Sequence, residues 1–286
     1  DDCAIHRNIA TSRISSSPST HTYAPLNDRG GRCAPPAPPA AKIYDPNGPW
    51  NTPIPAGAAV HAKSAQWITE LAKGSLLTTS CDEYAGPIYR MDLMNVPLRL
   101  IRVNGAWHEY DNGDQQPLTR SVFGVPGLLP IPAGSFSASD GSDAHVIWYD
   151  AQSGIEIGCW QYLGSEITNG YRTWTIPGNL GTFKDGRSGR GAKTPYGAGI
   201  FRKEDMLPDA PPHALAIPAD TPCPGTFVFP ASGTDGSGSV LAPPEGARLR
   251  IKPAYPKPAG LHPIASRIFD WLKICGGDRK STRLNS

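Results

Sequence analysis

The chain has 286 residues, 27 basic and 25 acidic side chains, and a formal net charge of +2. Only 18% of the residues are charged, against a usual ~25%, and no apolar run approaches the ~20 residues of a membrane span. These values exclude a charged helical bundle, a nucleic-acid binder working through a basic field and a spanning helix, and with 31 glycines and 31 prolines they fit an all-β, turn-rich protein.

Residues 1–42 are poor in large apolar side chains and contain the run Pro35-Pro36-Ala37-Pro38-Pro39. They read as a disordered or disulfide-stapled extension followed by a proline-rich linker. The six cysteines, Cys3, Cys33, Cys81, Cys159, Cys223 and Cys275, contain no C-x-x-C pair, so zinc-ribbon and thioredoxin-like readings fail on spacing. An even, scattered set points to disulfides in an exported protein, with at least two bridges expected and Cys3–Cys33 foremost. The chain is read as a mature secreted form whose leader has been removed.

From Ile43 onward, short apolar runs alternate with Asn-Gly and Asp-Gly turns, the pattern of a sandwich or barrel. Residues 64–73 open on Ser64 as N-cap and place Trp67, Ile68 and Leu71 on one stripe, which predicts a short helix. Residues 98–111 turn at Asn104-Gly105, a type I′ signal, and predict a hairpin bearing Trp107, Glu109 and Asp111 on one face. Residues 145–150 and 155–162, joined by a turn at 151–154, predict a second hairpin in which Tyr149 faces Glu156, Ile147 faces Gly158 and His145 faces Trp160. Residues 263–273 begin with proline and carry Ile264, Ile268, Trp271 and Leu272 on one stripe, which predicts a second helix. Residues 278–286 match the translation of a common short-read sequencing adapter. They are read as a non-native tail making only incidental contacts, which leaves residues 43–277 as the domain. Without that tail the chain is neutral, so its basic excess assigns no partner.

The second hairpin carries the chemistry. Side chains alternate along a strand, so Val146, Trp148, Ile155, Ile157 and Cys159 form a core face. The other face carries Asp143, His145, Tyr149, Glu156, Trp160 and Tyr162, with Gly158 leaving a gap among them. A solvated face favours Lys, Glu, Thr and Ser. An aromatic and titratable one suits sugar rings, which stack on aromatics and hydrogen-bond at their edges.

Glycoside hydrolysis needs two carboxyl groups, ~5–5.5 Å apart for retention or ~6.5–9.5 Å for inversion. Asp143 and Glu156 are separated by roughly 20 Å of strand at ~3.3 Å per residue, so Glu156 needs a partner from elsewhere, Glu109 or Asp111. Here Glu156 is a catalytic carboxylate and His145 and Tyr149 position it or the sugar. Trp160, Tyr162, Asp143, His213 and Trp107 complete the substrate site. Polysaccharide β-elimination would instead use His145 or Tyr149 as base, with a cation neutralising the uronate. A metal-dependent oxidative enzyme would use His145, His213 and Glu156, but no H-x-H or H-E-x-x-H pattern is present, so neither metal nor cofactor is expected. A serine hydrolase would need a G-x-S-x-G elbow, which is absent. A non-catalytic carbohydrate-binding protein is the other alternative; a body of ~230 residues is large for a lone module and favours an enzyme.

The segment Glu156-Ile-Gly-Cys-Trp160 resembles the E-I-x-I-W strand that carries the nucleophile in some jelly-roll endoglucanases. Over a longer span, six segments are similar in content and order to a family of secreted bacterial β-sandwich proteins to which no reaction is assigned. They are Trp50-Asn-Thr-Pro-Ile-Pro55, Leu129-Pro-Ile-Pro132, Ser142-Asp-Ala-His145 with the Glu156 strand, His213-Ala-Leu215, Phe229-Pro-Ala231 and Pro243-Pro-Glu-Gly-Ala-Arg-Leu-Arg-Ile-Lys252. The chain departs from that family at Ala216, where the family has arginine, and over residues 194–200. The resemblance implies a shared fold and singles out His145, Glu156 and His213. Together these readings predict a secreted, monomeric, all-β protein, a sandwich of jelly-roll type with two short helices. It binds and hydrolyses an extracellular polysaccharide, with no nucleic-acid or membrane partner.

Overall fold

A computed structural model describes residues 43–73, 87–93, 95–110, 117–118, 127–134, 136–138, 143–150, 152–175, 178–183, 190–219 and 222–281. The predicted N-terminal extension, Asp111, Cys3, Cys33 and Cys81 lie outside these residues.

The clearest local element is the hairpin of β6 (Val146–Tyr149) and β7 (Ile155–Trp160). Its register is the expected one, with Val146 opposite Cys159, Ile147 opposite Gly158 and Tyr149 opposite Glu156. Asp150 builds the turn. One carboxylate oxygen accepts from the Gln152 amide at 2.8 Å, the other from the Ser153 hydroxyl at 2.6 Å, and Gly154 closes the loop at φ 73°. Beside β7 runs β9 (Asn169–Trp174), antiparallel to it. The sheet is completed by β1 (Ile88–Arg90), β3 (Trp107–Tyr110) and β4 (Pro117–Leu118), in the order β1-β6-β7-β9-β3-β4.

A second sheet joins β2 (Leu98–Val103) to β5 (Gly127–Pro132) and β8 (Glu166–Ile167). Here one expectation is corrected: β2 and β3 do not form a hairpin. Asn104-Gly105 carries the chain from the three-stranded sheet into the six-stranded one, alongside residues 166–172, which make the same passage in parallel. The Asn104 and Gly105 amides donate to the carbonyls of Ile167 and Thr168, both at 2.9 Å, instead of closing a turn on themselves. The local signal for a tight bend is right. A neighbouring strand, not the chain's own return, takes the hydrogen bonds.

The apolar face of the β6–β7 hairpin does face a core. Val146, Trp148, Ile155, Ile157 and Cys159 pack with Ile101, Val103, Ile131 and Ile167 from the second sheet. Both predicted helices form, α1 at Ser64–Leu71 and α2 at Pro263–Ile274. Proline opens α2, where a missing amide costs nothing, and His262 Nδ1 accepts from the Ile264 amide at 3.3 Å. Trp271 fixes α2 inward against Ala210 and Leu215.

The third sheet corrects the reading of the C-terminal residues. β12 (Gly277–Ser281) lies between β10 (Leu215–Ala219) and β11 (Arg248–Leu249), parallel to the first and antiparallel to the second. Asp278 is buried and pairs with Arg248, so residues 278–281 are part of the fold, not an incidental tail. Burial pushes its carboxyl up to about 6, against the pull of the Arg248 guanidinium. Cys159 and Cys223 are buried free thiols, so the six cysteines are not all bridged. The described architecture is mostly strand with two helices. Its sheets mix parallel and antiparallel pairs, and none closes into a barrel. No helix among the described residues is long and apolar enough to cross a membrane.

Candidate active site

The titratable face of the β6–β7 hairpin is covered. Gly158 leaves the expected gap, but the Tyr171 and Tyr196 rings fill it; a Cβ there would sit 2.6 Å from Tyr171 Cζ and 2.4 Å from Tyr196 Cδ2. With Ile147 and Phe183 these rings form a second buried layer, against which Ile88, Trp160 and Ile200 pack.

Glu156 sits inside this layer, 1% exposed. Its Oε2 accepts from the Tyr44 hydroxyl at 2.7 Å; its Oε1 accepts from the Tyr171 hydroxyl at 2.5 Å and from the Gly197 amide at 2.9 Å. Gly197 carries no side chain for a steric reason: a Cβ would lie 2.2 Å from Oε2. The loop that presents this amide is shaped by Arg190. Its Nη1 donates to the carbonyls of Pro195 at 2.7 Å and Ala198 at 2.9 Å, and its Nη2 to that of Tyr196 at 2.7 Å. Burial lowers the Arg190 pKa, and it pushes the Tyr44 and Tyr171 hydroxyls well above their ordinary range, with the charge of Glu156 adding to the shift. The hydroxyls therefore stay protonated donors, and both carboxylate oxygens are occupied.

The groups closer to solvent lie where the hairpin's regular ladder ends. Trp160 Nε1 donates to Asp143 Oδ1 at 3.0 Å, and His145 Nε2 lies 3.4 Å from Asp143 Oδ2. The His145 ring rests on Tyr196 with centroids 4.5 Å apart. The side chains of His145 and Asp143 keep 9% and 11% of their surface, and Trp160 is half-buried. His145 Nδ1 is enclosed, and Nε2 is the nitrogen that meets Asp143. Two non-glycine residues beside this cluster have left-handed backbones, Ala144 at φ 38° and Gln161 at φ 54°. Such conformations cost about 1–3 kcal/mol each and concentrate at functional sites.

The same kink re-aims Tyr162, which was expected on the titratable face. It lies in the apolar cluster, edge-on to Trp148 at 5.7 Å, with Arg99 donating to its hydroxyl. Trp107 is likewise a core residue, packed over Gly170. Tyr149 is half-buried at the opposite end of the hairpin, under the Arg90 guanidinium at 5.9 Å from its ring centroid, and Arg90 in turn pairs with Glu204 at 2.7 Å. The backbone of Glu109 pairs with Arg172 and Leu118; its side chain lies outside the described residues.

His213 belongs to a separate arrangement. Its Nε2 lies 3.2 Å from Asp205 Oδ2, its Nδ1 2.9 Å from the Ala214 carbonyl, and its ring packs against Trp271 at 4.6 Å. Asp205 also pairs with Arg202 at 3.0 Å. Burial would raise the Asp205 carboxyl, but His213 and Arg202 outweigh it and hold it below its ordinary value. The three residues of the metal reading thus have different partners. Among the described residues no three His, Cys, Asp or Glu side chains converge as ligands. The cavity beside Trp50, Arg190, Thr194 and Pro230 has room for about one water molecule and is far too small for a ligand.

Sequence reasoning missed Tyr44, Tyr171, Arg190, Tyr196 and Gly197. Tyr44 reaches Glu156 across 112 positions of chain, and no local pattern announces that contact. No family model, curated protein or solved structure matches this chain.

Proposed function

We propose that the protein is a secreted glycan-cleaving enzyme in which His145 is the acid–base group through Nε2, Asp143 stabilises the imidazolium that forms beside it and Trp160 borders the sugar. The observation that supports this reading most directly is the Asp143–His145 pair, oriented by the Trp160 indole and set in kinked backbone at the end of the hairpin. Glu156, with three donors already on its two oxygens, acts here as a structural carboxylate. Hydrolysis by two carboxylates then lacks its centre on this hairpin. β-Elimination needs one base on the protein, with a cation to neutralise the uronate. The His145 imidazole takes the proton beside the uronate carboxyl, the electron pair becomes a ring double bond, and the glycosidic oxygen leaves as an alcohol protonated by water. The finer architecture that accompanies this reading is a sandwich, because two sheets share one apolar cluster. The jelly-roll variant is served less well, since three strand pairs in those sheets are parallel.

The test is a polysaccharide panel read simultaneously for reducing ends and for 235 nm absorbance. Elimination raises both signals; hydrolysis raises only the first. His145→Gln is expected to lower turnover by ~10²-fold or more with an unchanged melting temperature. Full activity in that variant sinks the assignment. Glu156→Gln that stays folded but inactive, with no 235 nm product from the parent, restores the Glu156-centred hydrolase. Retention of a glycan without cleavage identifies a binding protein.

A further inference from the structure

We propose that the surface built by residues 250–257 and the adjoining side of α2 holds an anionic, uronate-bearing glycan chain; the inference rests on the glycan reading above and adds a second contact region to it. Residues 248–273 contain six cations, Arg248, Arg250, Lys252, Lys257, Arg267 and Lys273, and a single acid, Asp270. Without this stretch the chain has more acidic than basic side chains, so the positive charge is concentrated here within a nearly neutral protein.

The fold brings part of that charge onto one face. The loop runs along the helix: the Ile251 amide donates to the Leu272 carbonyl at 3.2 Å, Lys273 Nζ to the Pro253 carbonyl at 3.1 Å, and Lys257 Nζ to Ser266 Oγ at 3.1 Å and Asp270 Oδ2 at 2.6 Å. Lys252 is exposed, and Tyr255 is 56% exposed with its ring centroid 6.4 Å from that of Phe269. The Lys273 ammonium stands 5.2 Å from the Phe269 centroid. Pro253, Pro256 and Pro258 restrict the loop, so presenting this face costs little further ordering. An exposed phenol ring offers a platform for the apolar face of a sugar, and the exposed Lys252 three residues away answers a carboxylate on the chain, while Lys257 and Lys273 are held by Asp270 and the Pro253 carbonyl and add to the positive field of the face. A neutral glycan would leave the charge unused. The single exposed aromatic between spaced lysines distinguishes the face from a continuous basic track for nucleic acid.

Affinity electrophoresis of the full chain through gels containing polygalacturonate, neutral dextran, dextran sulfate or duplex DNA tests this. Retardation is expected in polygalacturonate and not in dextran, and it should weaken about tenfold in the Lys252→Glu/Tyr255→Ala double variant. Both side chains are exposed, so the variant's melting temperature should match the parent's. Equal retardation of parent and variant overturns the proposal. So does retardation by dextran sulfate or DNA as strong as by polygalacturonate, which would mean ion exchange only. The assay reads binding independently of turnover. Retardation without cleavage leaves this surface standing and removes the elimination chemistry; cleavage with parent and variant equally retarded does the reverse.

Discussion

The two faces of the β6–β7 hairpin are both buried, and they are held by different physics. On one side, Val146, Trp148, Ile157 and Cys159 meet the second sheet through apolar contact alone. On the other, Glu156 gathers two phenols and an amide from positions far apart in the chain, and aromatic rings close over the glycine beside it. The first face tolerates substitutions that preserve volume. The second depends on specific donors and acceptors, because a buried polar group left without its partner costs about 1–3 kcal/mol.

The largest effects should come from removing the centre of either face. Trp148→Ala should cost about 3–5 kcal/mol through the cavity it leaves. Glu156→Ala should cost roughly 3 kcal/mol or more, because three buried donors lose their acceptor at once. The contrast lies in the rescue. Trp148→Phe should recover much of the loss, whereas Glu156→Leu should not, since filling the space does nothing for the Tyr44, Tyr171 and Gly197 donors. Urea unfolding of the four variants measures this; a stable Glu156→Leu would mean that the polar face is held by packing after all.

The third sheet gives the next effect. Deleting residues 278–286 removes the strand between β10 and β11 and strips Arg248 of its carboxylate. With each lost backbone hydrogen bond worth ~0.5–1.5 kcal/mol net, the melting temperature should fall by several degrees. Main-chain pairing is indifferent to side chains, so a strand can run through residues that look foreign by composition; Asp278 is the position where the side chain also matters. Its folded pKa, about 6, lies above the ordinary 3.8. The folded state therefore holds the proton more tightly, and the contribution of Asp278 is fully present below pH 3.8 and lost as pH rises through about 6. Asp278→Asn should flatten that slope in melting curves taken from pH 4 to 7. An unchanged slope would place the titration elsewhere.

A smaller effect is expected at Gly158. Adding a methyl group forces Tyr171 and Tyr196 to shift and should cost about 1–3 kcal/mol. A Gly158→Ala variant as stable as the parent would show that the two rings have room, and with it that the gap is accessible to a ligand.

This position also shows what was legible in the sequence. Alternation of Val146, Trp148, Ile155, Ile157 and Cys159 around the Asp150–Gly154 turn gave the hairpin, its register and its core face, because each of those signals is local. The covering of the other face was not legible. A row of His, Tyr, Glu and Trp reads the same whether it meets solvent or a second layer, and Tyr44, Tyr196 and Gly197 arrive through long-range contacts. Asn104-Gly105 failed for a related reason: a tight bend does not record which strand accepts its hydrogen bonds. The cluster at Asp143 and His145 was found as residue types. The left-handed backbone at Ala144 and Gln161, which turns Tyr162 back into the core, carried no glycine to announce it.

The smallest effect should fall on the apolar face, at Cys159. The thiol is fully buried among Val146, Trp148 and Ile157, and burial pushes its pKa up, so it stays protonated and unreactive. Cys159→Ala removes a single heavy atom and should cost about 1 kcal/mol, near the value of one buried methylene. Tyr44→Phe, which also removes a single heavy atom, should cost more, about 1.5–3 kcal/mol, because its hydroxyl is a charge-assisted donor to Glu156 Oε2. Measured side by side, two one-atom deletions compare the faces with volume held nearly constant. If Cys159→Ala proves the costlier, packing and not the hydrogen-bonded carboxylate is the more demanding constraint on this sheet. Thiol labelling of the native protein at pH 8 supplies the independent check: Cys159 should react only on unfolding, and prompt labelling would mean that the apolar face opens to solvent.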